Sequence, residues 1–476
     1  MIYTIGVCFL APAPAMDRNC IRILVLYCLL ASLYAFGVPL WEAPDEPSHY
    51  LCIRRISDGQ SFRPPRPSAP PGKEWSETYL YSLYERAQPP LYYLLAAPAM
   101  KVLSLRLLPL GGPADFPSVR YNFQREGNLF VRHRDGLFPI PANEIRGHLI
   151  RLLSILAGAG SVYLIYRLTR ALAPDSPPLA LLAGGFAATL PQFTFISAMI
   201  SNDSLAVLIG AGALFLLARI GGGTASGRDR LGAGFLLAVG LATKGNLFFL
   251  FPVAALALFI GRYSGLRLRG WLARAAPLFL PSAVLLLLAA LDAAQQRPIG
   301  PPPPGQAAAG TFIAGARIMW LRLSHVNPAL LAPDRLRLML TEIFQSFFAR
   351  FGWMSISVGG WLYWSWAGLF AVSIVGGIAG VFQSGRGGMS GKVLLLFLAA
   401  FLILFAGVIK NNLLVPQHQG RFLFPALPAI AVLFATGWLN LFPRRSWKWI
   451  APVGVLILAA LNLAAIFGYL IPASYP

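Results

Sequence analysis

The chain has 476 residues, of which 57% are hydrophobic and only 12% charged, with a mean hydropathy of +0.63. A soluble protein of this length needs far more charge to cover its surface, so that class is excluded. The 39 Lys and Arg against 18 Asp and Glu give a formal charge of +21, read here as basic loops that set membrane orientation and meet anionic lipid or phosphate; no nucleic-acid partner is expected.

Residues 1–15 are mostly apolar and lack a basic start, so they read poorly as a signal peptide; Met16 is an alternative start to Met1. The segment 21–40 reads as a retained anchor. Ten further apolar blocks follow, near 149–170, 178–199, 203–220, 231–243, 246–261, 275–291, 361–382, 393–410, 423–441 and 449–471. Most are close to the length that crosses a hydrocarbon core, which sets an expectation of about 11 transmembrane helices. Lys and Arg gather at every second junction: Arg18 and Arg22, Arg167 and Arg170, Arg228 and Arg230, Arg262 to Arg274, Arg386 with Lys392, and Arg444, Arg445 and Lys448. That alternation marks the cytoplasmic side.

The remaining junctions fall outside. They include two long outer loops, 41–148 and 292–360, and short turns near Asp203 and 411–422. Blocks 231–243 and 246–261 are short and basic at both outer ends, so they form a hairpin with Lys244 near its tip. The segment 89–109 carries Lys101 and Arg106, and a span there would put basic loops on the wrong sides. It is expected to lie in the interface or to re-enter from outside. Proline-rich stretches 63–71 and 298–304 read as extended linkers. One membrane-embedded domain is expected over 1–476: a module at 21–291, the outer loop 292–360 and C-terminal helices at 361–476. Cys8, Cys20, Cys28 and Cys52 show no CxxC or metal spacing, so neither a disulfide scaffold nor a structural zinc is supported.

Five constellations fall on the outer side. Asp45 and Glu46, with His49, follow the first span between Pro44 and Pro47; the acids read either as a helix cap or as a tuned general base. Gln88-Pro89-Pro90-Leu91-Tyr92-Tyr93 reads as a helix start with interface tyrosines. Ser201-Asn202-Asp203 reads as a cap or as a functional carboxylate at bilayer depth. Lys244 could snorkel or hold a phosphate as a point charge. Gln419 and Arg421, in Gln417 to Phe422, offer a planar fork suited to phosphate. In the loop 292–360 and just after it, Glu342, Arg350, Trp353 and the Trp361 to Trp366 cluster either shape a cavity or form an interfacial aromatic belt. Acids and cations gathered on one face suit a reaction on a lipid phosphate.

In order along the chain, Pro44-Asp45-Glu46 with His49, QPPLYYLL, Arg151-Leu152-Leu153-Ser154, LPQFTFISAMISND, GLATKG and QGRFLFPALP resemble the GT-C glycosyltransferases. The likeness covers about 21–441 and is to family-39-like and DUF2142-like bacterial members, relatives of protein mannosyltransferases and of the aminoarabinose transferase of lipid A. Gln88 stands where relatives more often carry His or Asn. The resemblance implies an all-α polytopic GT-C-type fold with interfacial helices in the first outer loop. It implies an enzyme of the plasma membrane that moves a sugar from a polyprenyl-phosphate carrier to a hydroxyl on a glycan, lipid or protein, on the outer or periplasmic face. Asp45 matches the base, Glu46 its companion and Asp203 a second outer acid. Lys244 and Arg421 match positions for the donor phosphate, with His49 and Gln419 beside them. A divalent metal is used by some members and not by others, and no cofactor is assigned. A single displacement would invert the anomeric centre. The competing readings are a transporter or flippase of lipid-linked glycans, whose charges should line a path from both sides, and an assembly protein in which Asp45 only caps a helix.

Overall fold

In hydrocarbon every backbone N–H and C=O must find its partner within the chain, and this chain meets that demand with helices. The computed structural model describes residues 16–60, 88–103, 145–261, 268–295, 328–382 and 389–475. Among them, eight helices are long and apolar enough to cross a bilayer; a ninth crossing is made if the bent pair at 177–197 counts as one. The described residues are almost entirely helical, as expected of a multi-pass membrane protein. The eleven apolar blocks all lie on helices, but the two short ones stay below the length of a span: α8 (Gly227–Leu241) and a 3-10 turn continued by α9 (Leu250–Ile260).

Helix α1 (Arg18–Gly37) shows how the pattern is used. Ile23, Tyr27, Leu30 and Tyr34 recur at helical spacing and are buried, while Val25, Leu29 and Leu33 on the other face are exposed to the lipid side. Its N-cap is Asp17, whose carboxylate accepts from the Cys20 amide. After α4 (Ile145–Leu172) come α5 (Pro177–Thr189) and α6 (Pro191–Ser197), bent from each other by 63°. Pro191 has no N–H to continue the ladder, and Thr194 Oγ1 returns a hydrogen bond to the Leu190 carbonyl at 2.9 Å.

Helix α7 (Asn202–Gly221) and the segment 420–440 form the middle of the bundle, with 78% and 83% of their apolar windows buried. They meet backbone to backbone: a Cβ on Gly210 would stand 2.5 Å from the Pro425 carbonyl oxygen, so only glycine fits there. The outer ring is α10 (Leu268–Gln295), α12 (Gly360–Phe382) and α13 (Gly391–Asn412), of which only 17%, 28% and 33% is buried. The C-terminal helices are α14 (Leu427–Asn440), α15 (Trp447–Ala465) and α16 (Ile471–Ser474).

Both outer segments hold more structure than loops. The first carries α2 (Glu46–Ser57) and α3 (Leu91–Leu103), which pack on each other through Tyr50, Cys52, Ile53, Tyr93 and Ala96. The expected interfacial segment 89–109 is thus a 13-residue helix, too short to span, whose tail beyond 103 lies outside the described residues. Tyr92 and Tyr93 do not anchor at an interface as expected. They are buried, and Tyr92 bonds Ser154 at 3.1 Å. The second segment carries α11 (Pro333–Phe348), which exposes Asp334, Arg335 and Arg337 and buries Met339, Ile343 and Phe347, and then a two-residue β ribbon, Arg350–Phe351 against Ile356–Ser357. The linkers 63–71 and 298–304, with Cys8, Arg262, Arg267 and Arg386, lie outside the described residues.

One buried pair ties α4 to the start of α2. Arg151, on α4, reaches both carboxylate oxygens of Glu46, at 2.7 and 2.6 Å, and neither side chain is exposed. The guanidinium also donates to the carbonyls of Ala35, Val38 and Pro39, which close the end of α1. Glu46 accepts in addition from the amides of Trp41 and Ile200. A fork-shaped cation is required, because only it can satisfy a carboxylate bidentately and three carbonyls at once. Replacing Arg151 with Leu strands a buried carboxylate and should cost about 3–5 kcal/mol. Thermal unfolding in detergent should show that loss, and Glu46→Leu in the same chain should recover a large part of it.

Candidate functional site

The turn between α1 and α2 is held in an uncommon backbone conformation. Trp41 and Asp45 both have positive φ, 75° and 64°, a region that costs a non-glycine residue about 1–3 kcal/mol. Pro44 and Pro47 restrict the chain on either side, and Asp45 is the N-cap position of α2. Its side chain makes no capping bond. It reaches instead to Arg421, with which it forms a short ion pair.

Arg421 is the centre of the site. It sits in the 3-10 turn Gly420–Ala426 and is 4% exposed. Its Nε donates to Gln419 Oε1 at 2.6 Å, its Nη2 to Asp45 and its Nη1 to Asp203 Oδ2 at 3.4 Å. Asp203 opens α7, where the cap is supplied by Ser201, whose hydroxyl accepts from the Asp203 amide at 3.1 Å. The Asp203 carboxylate is therefore free of the capping role and takes Lys244 Nζ at 2.7 Å. Lys244 also donates to Asn202 Oδ1 at 2.9 Å. Phe422 closes this side, with Lys244 Nζ at 5.9 Å and the Arg421 guanidinium at 5.5 Å from its ring centroid.

Two acids and two cations thus alternate in one buried chain, Asp45–Arg421–Asp203–Lys244, with no net formal charge. Lys244 contributes only donors, so the Asn202 amide oxygen must face it and the Nδ2 points away. That Nδ2 is buried and has no hydrogen-bond partner among the described residues.

His49 lies one turn along α2 from Asp45 and is 2% exposed. It stacks on Tyr93 and shares a 2.9 Å hydrogen bond between Nδ1 and the Tyr93 hydroxyl. Burial pushes its pKa down to about 3, against the opposing pull of Asp45 and Asp203. The imidazole is neutral and adds no cation to the site.

The turn that carries Gln419 and Arg421 is clamped from above by α11. The Ser346 hydroxyl accepts from the Gly420 amide at 2.7 Å and donates to the His418 carbonyl at 3.2 Å, and His418 Nδ1 bonds Glu342 at 2.7 Å. Glu342 is paired in turn with Arg350 at 3.2 Å, and the Arg350 amide donates to Gln192 on α6. A Cβ on Gly420 would stand 2.3 Å from the Phe347 nitrogen and 2.4 Å from the Ile343 oxygen, so the close seating of α11 requires glycine.

The expected residues therefore separate. Asp45, Asp203, Lys244, Gln419 and Arg421 come together, with His49 alongside. Glu46, expected as the companion of Asp45, does not face them: Arg151 and two amides occupy its carboxylate. Glu342 and Arg350 support the turn. The Trp353 indole donates to the Trp41 carbonyl at 3.4 Å. Trp361 and Trp364 are exposed and Trp366 is buried on Phe348, which is the arrangement of an aromatic belt. Arg151, Asn202, His418 and Ser346 were not picked as site residues. Arg151, Asn202 and His418 lie inside quoted motifs, whereas nothing in the sequence points to Ser346. Among the described residues no three His, Cys, Asp or Glu side chains are grouped to hold a metal ion, and Asp45 and Asp203 are bridged by Arg421.

Residues 143–291, which include Asp203 and Lys244, match the family of dolichyl-phosphate-mannose-protein mannosyltransferases. That match covers about a third of the chain. Asp45 and Arg421 lie outside the matched stretch. No curated protein matches along the sequence. Among solved structures, the chain is similar to the archaeal oligosaccharyltransferase AglB from Archaeoglobus fulgidus, in complex with an inhibitory peptide and a dolichol-phosphate. There the identity is 14% and the TM-score 0.49, over 96% of this chain and 56% of that one. It is also similar to ArnT from Cupriavidus metallidurans bound to undecaprenyl phosphate, at 12% identity and TM-score 0.49, over 95% of this chain and 73% of that one. The chain thus spans little more than half the length of the archaeal protein.

Two outcomes follow from this geometry. Gly420→Ala should destabilise the protein by about 1–3 kcal/mol through overpacking, whereas Gly245→Ala, where nothing lies within 4 Å of the added carbon, should be nearly neutral; thermal unfolding compares them. His49 is the second case. Its folded pKa, about 3, lies below the ordinary 6.5, so between those values only the unfolded chain binds the proton. The stability it lends is present above pH 6.5 and lost as pH falls toward 3. Wild type should therefore lose melting temperature relative to His49→Gln across that window.

Proposed function

We propose that this protein transfers a sugar from a polyprenyl-phosphate carrier to a hydroxyl acceptor on a glycan, lipid or protein. The transfer takes place on the outer face of the membrane. The observation that carries the reading is the chain Asp45–Arg421–Asp203–Lys244, which gathers a candidate base and two phosphate-binding cations at one end of the bundle. The family match over 143–291 and the positive-inside alternation of the loops support it.

In this reading Asp45 accepts the proton of the acceptor hydroxyl as its oxygen attacks the anomeric carbon. The bond from that carbon to the phosphate oxygen breaks, and the phosphate leaves with the electron pair. Lys244 and Arg421 neutralise its developing charge, so no general acid is needed. Attack opposite the leaving group inverts the anomeric centre. The two cations are already matched by two acids, which couples donor binding to the base. A phosphate oxygen that takes Arg421 Nη2 displaces the Asp45 carboxylate, which then faces the acceptor. Glu46 acts as a positioning residue, holding the turn in which Asp45 sits. A transporter would place charges along a path from both sides, and this cluster lies at one end.

The test is transfer by purified protein in liposomes, with a panel of polyprenyl-phosphate sugars and hydroxyl acceptors. Asp45→Asn should lower turnover by about 100- to 10,000-fold while the protein still inserts and folds. Lys244→Gln should raise the donor concentration required by about 10- to 100-fold. Full turnover in the first variant would remove Asp45 as the base.

A further inference from the structure

The opposite end of the bundle carries a second charged feature that the transfer chemistry does not use. Between α5 and the start of α15 lies a cleft of about 340 Å³, lined by Asp175, Ser176, Pro178, Arg444, Arg445, Trp447 and Lys448. Its volume is that of roughly ten waters of liquid, enough for a phosphodiester headgroup. Three of the lining groups are cations and one is an acid, so the cleft is positive. No ion pair among the described residues involves Arg445 or Lys448. Two of the cations lie over aromatic faces: Arg444 is 5.9 Å from the Trp447 ring centroid and Lys448 is 5.6 Å from that of Trp449.

What lies beside the cleft identifies its occupant. Trp449 is 68% exposed, and Val453 and Leu456 continue the same face of α15 at helical spacing, both exposed. An apolar stripe running away from a basic cleft suits a molecule with an anionic head and acyl chains. A free phosphate would gain nothing from the stripe. The tryptophans also mark the depth of the headgroup layer.

We infer that this cleft is a binding site for the phosphate headgroup of an anionic phospholipid at the end of the bundle opposite the transfer site. The lipid's chains lie along Trp449, Val453 and Leu456. The site needs only bilayer lipid and stands apart from the proposed transfer reaction. Each Lys or Arg near a membrane surface strengthens such binding severalfold.

Native mass spectrometry of the full chain, released from phosphatidylcholine nanodiscs doped with phosphatidylglycerol, tests this. Retained phosphatidylglycerol should exceed its share of the bilayer and should survive inorganic phosphate. The triple change R444Q, R445Q and K448Q should lower its affinity on the order of 100-fold. Lys448→Gln alone, which leaves the topology signal of the two arginines, should lower it about fivefold. Retention in proportion to bilayer composition, unchanged retention in Lys448→Gln, or displacement by inorganic phosphate would each overturn the inference.

Discussion

A carboxylate shut away from water must find a cation, and at one end of this bundle that demand is met twice. Arg151 meets it for Glu46 by filling both oxygens and leaving the acid inert. Arg421 meets it for Asp45 and Asp203 by spreading one guanidinium over two acids that lie far apart in the chain. The same interaction therefore does two different jobs. A bidentate pair, saturated by further amides and carbonyls, is a fastener. A shared cation, with each acid holding only part of it, is a junction that an incoming anion can rearrange.

The surrounding architecture follows from keeping that junction in place. Asp45 comes from a turn with positive φ between two prolines, Asp203 from the first turn of the central helix, Lys244 from a short hairpin tip, and Arg421 from a 3-10 turn under α11. Three of them are fixed by something other than their own charge. The Glu46–Arg151 pair holds the first, the Ser201 cap the second, and Ser346, His418 and Gly420 the last. Because none of the four acts as its own cap, all four carry their charge into the same small volume.

Much of this was legible before the fold. Apolar length placed the helices of the bundle but not α2 or α11 in the outer segments, and the alternation of Lys and Arg assigned Asp45, Asp203, Lys244 and Arg421 to one face, because topology depends on local composition. Contacts between distant segments were not legible. Asp45 and Glu46 are neighbours in sequence with the same chemistry, and only the position of Arg151 relative to the end of α1 decides which is consumed. Tyr92 and Tyr93 looked like interface anchors because tyrosine suits both water boundaries and buried hydrogen bonds, and Ser154 and His49 decided for the latter. The two short blocks resembled spans in composition, but a 15-residue helix and a 3-10 break make them shorter than a crossing.

If the junction is a donor-phosphate site, the phosphate has one place to go. Cryo-electron microscopy of the protein with bound polyprenyl phosphate should show a phosphate oxygen within hydrogen-bond reach of Lys244 Nζ and of Arg421 Nη2, and the Asp45 carboxylate released from Arg421. A phosphate seated elsewhere, with the Asp45–Arg421 pair intact, would contradict the account.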